Sequence, residues 1–238
     1  MMIRLSKLVL MLAATAVGML ALPSTASAFT LSHLSSDEDY NKILKDNVFI
    51  AEGRIGNNRN DGDYELDIHS IEDTTGFTVL TQKDFQWTNG VAQSFSLAYD
   101  AVSKLVNYTV GDNLLTYTAE NPLTDLFIRT RAARADSSIK VDNLFLNGVA
   151  IQDSSFAENS SKALDYLRIS GVTDSFNLTG QSTMNWGAIM PTGSNLAYQI
   201  KAVSTTDSTS VPEPSATLGL TLGAIAFALK IRRQKQAA

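Results

Sequence analysis

The stretch Asp125-Leu126-Phe127-Ile128-Arg129-Thr130-Arg131-Ala132 decides the fold class. Leu126, Ile128 and Thr130 fall on one side and Arg129 and Arg131 on the other, which is the period of a strand with one face buried. The same signal recurs downstream. Ser138 to Leu146 ends at Asn147-Gly148, a two-residue hairpin signal, and Tyr166 to Ile169, Phe176 to Met184 and Ala197 to Val203 follow. Upstream, Leu105 to Val110 turns at Gly111-Asp112 into Leu114 to Thr118. Before it come Ser94 to Tyr99, a loop from Asp100 to Lys104, and Phe85 and Trp87 ahead of a turn at Thr88-Asn89-Gly90. Val48 to Ile50 leads through the polar loop Asn57 to Asp63 into Tyr64, Leu66 and Ile68. About ten short strands with turns at regular spacing predict an all-β chain, an antiparallel β-sandwich of jelly-roll type. The polar stretch from Asp153 to Lys162 reads as a loop or a single helical turn.

One short helix is expected near the start of the domain. Ser35 and Glu38 have capping-box spacing, Tyr40, Ile43 and Leu44 share a helical face, and Asp37-Glu38-Asp39 suits the positive end of a helix.

Both ends of the chain carry signals that do not belong to the fold. Arg4 and Lys7 precede an apolar run from Leu8 to Leu22, and Ala26-Ser27-Ala28 forms an A-x-A site. This is the pattern of a secretory signal peptide over residues 1–28, cut between Ala28 and Phe29. The domain then occupies 29–203, and a Ser/Thr linker spans 204–210. At the other end Val211-Pro212-Glu213-Pro214 is stiff and extended, because proline cannot donate a backbone hydrogen bond and restricts the residue before it. Ala216 to Leu229 contains no charge and would form a helix of roughly 21 Å at 1.5 Å per residue. Lys230, Arg232, Arg233 and Lys235 close the chain and place this end in the cytoplasm. A C-terminal transmembrane helix is therefore expected.

The tail, residues 211–238, resembles the PEP-CTERM protein-sorting signal: a Pro-Glu-Pro motif, an apolar helix and a basic terminus, in that order. The resemblance implies an exported protein passed by the Sec machinery and signal peptidase to an exosortase, a membrane-embedded transpeptidase. The precursor would sit in the inner membrane and the product at the cell surface or in the extracellular matrix. Within the domain, Asp125 to Arg131, Leu144-Phe145-Leu146-Asn147-Gly148, Asp165 to Gly171 and Phe176 to Trp186 resemble the choice-of-anchor families of bacterial surface proteins, the W group in particular. That resemblance implies surface placement and no assigned reaction.

Charge and composition narrow the functions further. The chain has 19 basic and 24 acidic residues. Setting aside the two cations of the leader, the four of the tail and Glu213 leaves 13 basic against 23 acidic residues. A domain this acidic is a poor partner for nucleic acid. Cysteine is absent, which removes disulfides, zinc-thiolate sites and cysteine nucleophiles. No cofactor motif occurs. The loop Asn57 to Asp63 is rich in oxygen donors, but EF-hand register would put Arg59 and Ile68 at ligand positions, so an ordinary turn is preferred to a calcium site. Glu65, Asp67 and His69 share a strand face and are the nearest approach to a metal or acid/base cluster. The alternation with Tyr64, Leu66 and Ile68 favours a solvated face.

Candidate ligand residues are Arg129 and Arg131, whose guanidinium groups suit a carboxylated polysaccharide, and Trp87 and Trp186, as stacking platforms for sugar rings or as core residues. The expected function is that of a surface or matrix protein without catalytic activity. A carbohydrate-binding module recognising exopolysaccharide is the alternative, and a glycoside hydrolase using Glu65 and Asp67 is a further one.

Overall fold

The computed structural model of the chain describes residues 29–42, 47–59, 64–71 and 76–204. The expected signal peptide with Ala26 and Ala28, Ile43 and Leu44 of the expected helix, the tip of the loop at 60–63, and everything from 205 onward, including the expected sorting motif and transmembrane helix, lie outside those residues. Among the described residues no helix is long and apolar enough to cross a membrane.

The chain is all-β. Its elements run β1 (Thr30–Leu34), α1 (Asp37–Asn41), β2 (Asn47–Arg54), β3 (Leu66–Ile71), β4 (Phe77–Lys83), β5 (Ala92–Tyr99), β6 (Leu105–Val110), β7 (Asn113–Thr118), β8 (Asp125–Ala132), β9 (Ser138–Leu146), β10 (Val149–Ala150), β11 (Ser155–Glu158), β12 (Leu164–Ser170), β13 (Phe176–Asn185) and β14 (Leu196–Val203). Two antiparallel sheets result. Sheet 1 has the order β1-β12-β8-β14-β2-β3-β4; sheet 2 has β10-β9-β13-β5-β6-β7, with β11 beside β9. Sequence-adjacent hairpins build one flank of each sheet, β2-β3-β4 in the first and β5-β6-β7 in the second. From β8 onward the chain crosses back and forth between them.

The inner faces meet in one apolar core. Phe49, Ala51, Leu66, Ile68, Leu126, Ile128, Leu196, Tyr198 and Ile200 of sheet 1 face Phe95, Leu97, Tyr108, Ile139, Val141, Leu178 and Met184 of sheet 2. Tyr108 and Tyr198 join hydroxyls at 2.6 Å in the middle of it. Such a pair satisfies two buried hydroxyls that would otherwise each carry a desolvation cost. Gly53 is required by the same tyrosine: a Cβ there would lie 2.5 Å from Tyr198 Cε1 and 3.0 Å from Trp87 Cζ2.

The short helix forms one residue later than its capping-box spacing suggests. Ser36, not Ser35, is the N-cap, its side chain accepting from the Asp39 N–H at 3.2 Å. Ser35 instead donates to the Asp39 carboxylate at 2.9 Å. Tyr40 then reaches a small second cluster with Phe127, Tyr166 and Val203 on the outer face of sheet 1. The stretch around Asp153 to Lys162 contains strand β11 rather than a helical turn.

Candidate binding cleft on the outer face of sheet 1

Antiparallel register lines up a row of polar side chains across the outer face of sheet 1. Tyr166 of β12 stands opposite Arg129 of β8, Arg129 opposite Gln199 of β14, Gln199 opposite Glu52 of β2, and Glu52 opposite Asp67 of β3. Arg131, Ala197 and Arg54 form the next row. Between these rows lies a cleft of about 210 Å³ lined by Glu52, Arg54, His69, Arg129, Arg131 and Gln199, with Phe77, Ser194 and Ala197 on its rim.

The floor of the cleft is a buried ionic network. Arg54 reaches Glu52 Oε2 at 3.2 Å and Asp67 Oδ2 at 3.1 Å. Asp67 Oδ1 lies 2.8 Å from His69 Nδ1. Glu52, Asp67 and His69 are all buried, Asp67 completely. Burial, and then the nearby charge of Asp67, push the Glu52 carboxyl up, against Arg54, His69 and a hydrogen bond from Gln199 that pull it down.

α1 holds Arg129, one of the lining residues, from behind. Arg129 donates to both carboxylate oxygens of Asp37, Nε at 2.9 Å and Nη2 at 2.8 Å, and Tyr166 donates to Asp37 at 2.6 Å. Burial alone would raise the Asp37 carboxyl; the hydrogen bonds from Arg129 and Tyr166 and the charges of Arg129 and Lys201 outweigh it and hold the group low. Beneath the helix, Lys201 Nζ sits 4.2 Å from the centre of the Tyr40 ring. Burial, and then the positive charge of Arg129, lower that amine to about 7. Arg131 differs from its neighbours: among the described residues its guanidinium has no carboxylate partner.

Several sequence expectations are redistributed. Arg129 and Arg131 do share the outer face. The solvated-face reading of Glu65, Asp67 and His69 is corrected: all three are buried. Period-two spacing places Asp67 and His69 on the outer side, but Glu52, Arg54 and Phe77 cover them. Glu65 lies just outside β3 and does not join the cluster. Its carboxylate accepts the backbone N–H groups of Gly56 and Asn57 at 3.2 and 3.0 Å, as well as that of Asn58, so it organises the β2–β3 loop.

Trp87 is a core residue, 4% exposed. Its indole N–H donates to the Arg54 carbonyl at 2.8 Å, and its ring packs on Phe85 and Tyr198, so no face is open to a sugar. Trp186 is half-buried against the core, with its backbone clamped by the side chain of Asn89 at 2.8 and 2.9 Å. Neither tryptophan lines the cleft. The aromatic that does is Phe77 of β4, 58% exposed, whose ring centre lies 5.3 Å from that of His69.

Glu52 and Arg54 had no sequence signal of their own. Their strand looks like a continuous buried run, and only its register with β3 makes them part of a site. Neither a protein-family model nor a curated protein matches the chain.

Proposed function

We propose that the chain is an exported surface protein whose β domain holds a carboxylated polysaccharide in the cleft of sheet 1, and that its tail hands it to an exosortase. The observation that carries the binding part is Arg131. A half-buried guanidinium beside Gln199 and the exposed ring of Phe77, with no carboxylate of its own among the described residues, is suited to a uronate: bidentate pairing for the carboxylate and an aromatic face for the apolar side of the sugar ring. Arg129 is committed to Asp37, so it shapes the wall and Arg131 supplies the charge. The domain binds without turning over its ligand, since Glu52 and Asp67 are both tied to Arg54. The crossing of β8, β9, β12, β13 and β14 between the sheets supports a jelly-roll type of sandwich.

Retention of the purified full chain on polygalacturonate, beside uncharged dextran, tests the binding. Retention on the acidic polymer alone is expected, weakened about tenfold or more in Arg131→Gln, the loss of one charge-assisted hydrogen-bonded pair. Equal retention on both polymers, or an unaltered variant, would reject it; release of reducing ends would mark a hydrolase instead.

The sorting part rests on Val211 to Pro214, the uncharged run to Leu229 and the cations from Lys230 to Lys235, together with the leader before Phe29. Those features support an inner-membrane precursor with a C-terminal transmembrane helix, released to the envelope or matrix. Intact mass of protein from envelope and medium is the test. A native mass lacking residues 1–28 and the apolar tail, with a Pro212-Glu213-Pro214 to alanine variant keeping its tail in the membrane, is expected. Full tails in both would make the segment an ordinary single-pass anchor.

A further inference from the structure

We infer that Glu52, Asp67 and His69 form a binding site for a divalent transition-metal ion at the floor of the cleft. Each residue offers one donor atom, and the three donors lie within 4.8 Å of one another. They come from neighbouring strands whose pairing, Ile50 with His69 and Glu52 with Asp67, holds their backbones rigidly. A metal 2.0–2.2 Å from each donor needs them about 3.4 Å apart, so the His69–Asp67 pair at 2.8 Å would open slightly and the wider separations would close.

A second observation points the same way. Asp67 is fully buried, yet its Oδ2 receives no hydrogen bond, although Arg54 Nη2 lies 3.1 Å from it. Buried carboxylate oxygens are normally satisfied by directed donors. One guanidinium therefore serves two buried carboxylates. The Nδ1 of His69 and Oδ1 of Asp67 lie 2.8 Å apart and face the same space.

The donor set selects the kind of ion. One imidazole nitrogen with two carboxylate oxygens suits zinc, cobalt or manganese better than calcium, which takes six to eight oxygens. The outer shell is also in place, because Gln199 and Arg54 orient the Glu52 carboxylate as second-shell groups orient ligands in metal sites generally. The open cleft gives the ion its path. The site does not depend on whether a polysaccharide occupies the cleft.

The test uses metal alone. Calorimetric titration of the full chain with zinc is expected to show one saturable site that releases a proton on binding, with calcium much weaker. His69→Gln should lower zinc affinity tenfold or more, the scale on which outer-shell losses already act. His69→Cys supplies the chain's only thiol, since native cysteine is absent; with cobalt it should produce a thiolate-to-metal charge-transfer band, a readout that a folding defect would not create. The control is His33→Gln. His33 is the other histidine and lies 3.2 and 3.3 Å from Asp153 and Asp165, so loss of zinc in that variant and not in His69→Gln would overturn the assignment. So would a native chain with no saturable zinc site, or a folded His69→Cys protein that binds cobalt without the band.

Discussion

The two sheets present opposite kinds of outer face. On sheet 2, β13 alternates strictly and β9 alternates on either side of one break at Asp142-Asn143, with buried Ile139, Val141, Leu144 and Met184 inward and Lys140, Asp142, Thr179 and Thr183 outward in contact with solvent. On sheet 1, β2, β8 and β14 are buried along nearly their whole length on both sides. What covers their outer side is charge: Glu52, Arg54, Asp67, His69, Arg129 and Lys201, together with Tyr40 of α1 and Tyr166 of β12. A fold needs only the first kind of face, since alternation is enough to pack a sandwich. The second kind costs desolvation at every charged group.

Identical charge deletions on the two faces would break or sharpen this contrast. The largest effect is expected for Arg54→Met. It leaves Glu52 and Asp67 buried without their shared cation, and breaking a buried pair from one side costs about 3–5 kcal/mol. Urea denaturation with two-state fits measures it. A loss below about 1 kcal/mol, the range of solvated pairs, would mean that the network is wet and the two faces are alike.

Lys201 tests the contrast through pH. Its amine faces Tyr40 and Asp37 from α1, Tyr166 from β12, Arg129 and Phe127 from β8, and Glu52 from β2. Burial holds it near 7 in the folded protein, against 10.5 for the free side chain. The unfolded chain therefore binds one more proton between those two values, and stability rises with pH through that window and is lost as pH falls toward 7. Lys201→Met removes the contribution. The difference in stability between native protein and variant should change by at most about 1.4 kcal/mol per pH unit between pH 7 and 10.5, with the variant the more stable at pH 7. Parallel pH profiles would show the amine to be solvated.

The contrast also explains what could be read in the sequence. Strands β5, β6, β8, β9, β13 and β14 were legible because one face meets the core and the pattern alternates. Strand β1 was not, being a five-residue edge half-exposed along its length. Nor was β4, where Phe77, Val79 and Leu80 are exposed and a register shift against β3 breaks the period. Strand β11 was hidden by its length and by polar neighbours. For the site, alternation put Arg129 and Arg131 on one side and Asp67 and His69 on another strand's outer side. It could not say that they share a sheet, or that Glu52 would stand opposite Asp67, because that register is set by the β2–β3 loop and by the Glu65 carboxylate that fastens it. Period tells which way a side chain points and not what covers it, which is why Asp67 and His69 read as solvated and are buried.

The smallest effect is expected on the opposite face. Lys140 Nζ and Asp142 Oδ2 lie 2.7 Å apart on the outside of β9, closer than either contact of Arg54, but their side chains are 50% and 27% exposed. Distance alone would rank this pair above the Arg54 pairs. Solvation reverses the order, because water screens the attraction and ordering two long side chains costs entropy. Lys140→Met should therefore change stability by about 0–1 kcal/mol, and that change should shrink further in high salt. A salt-independent loss comparable with that of Arg54→Met would show that ion-pair distance, and not the burial that separates the two faces, governs their energetics.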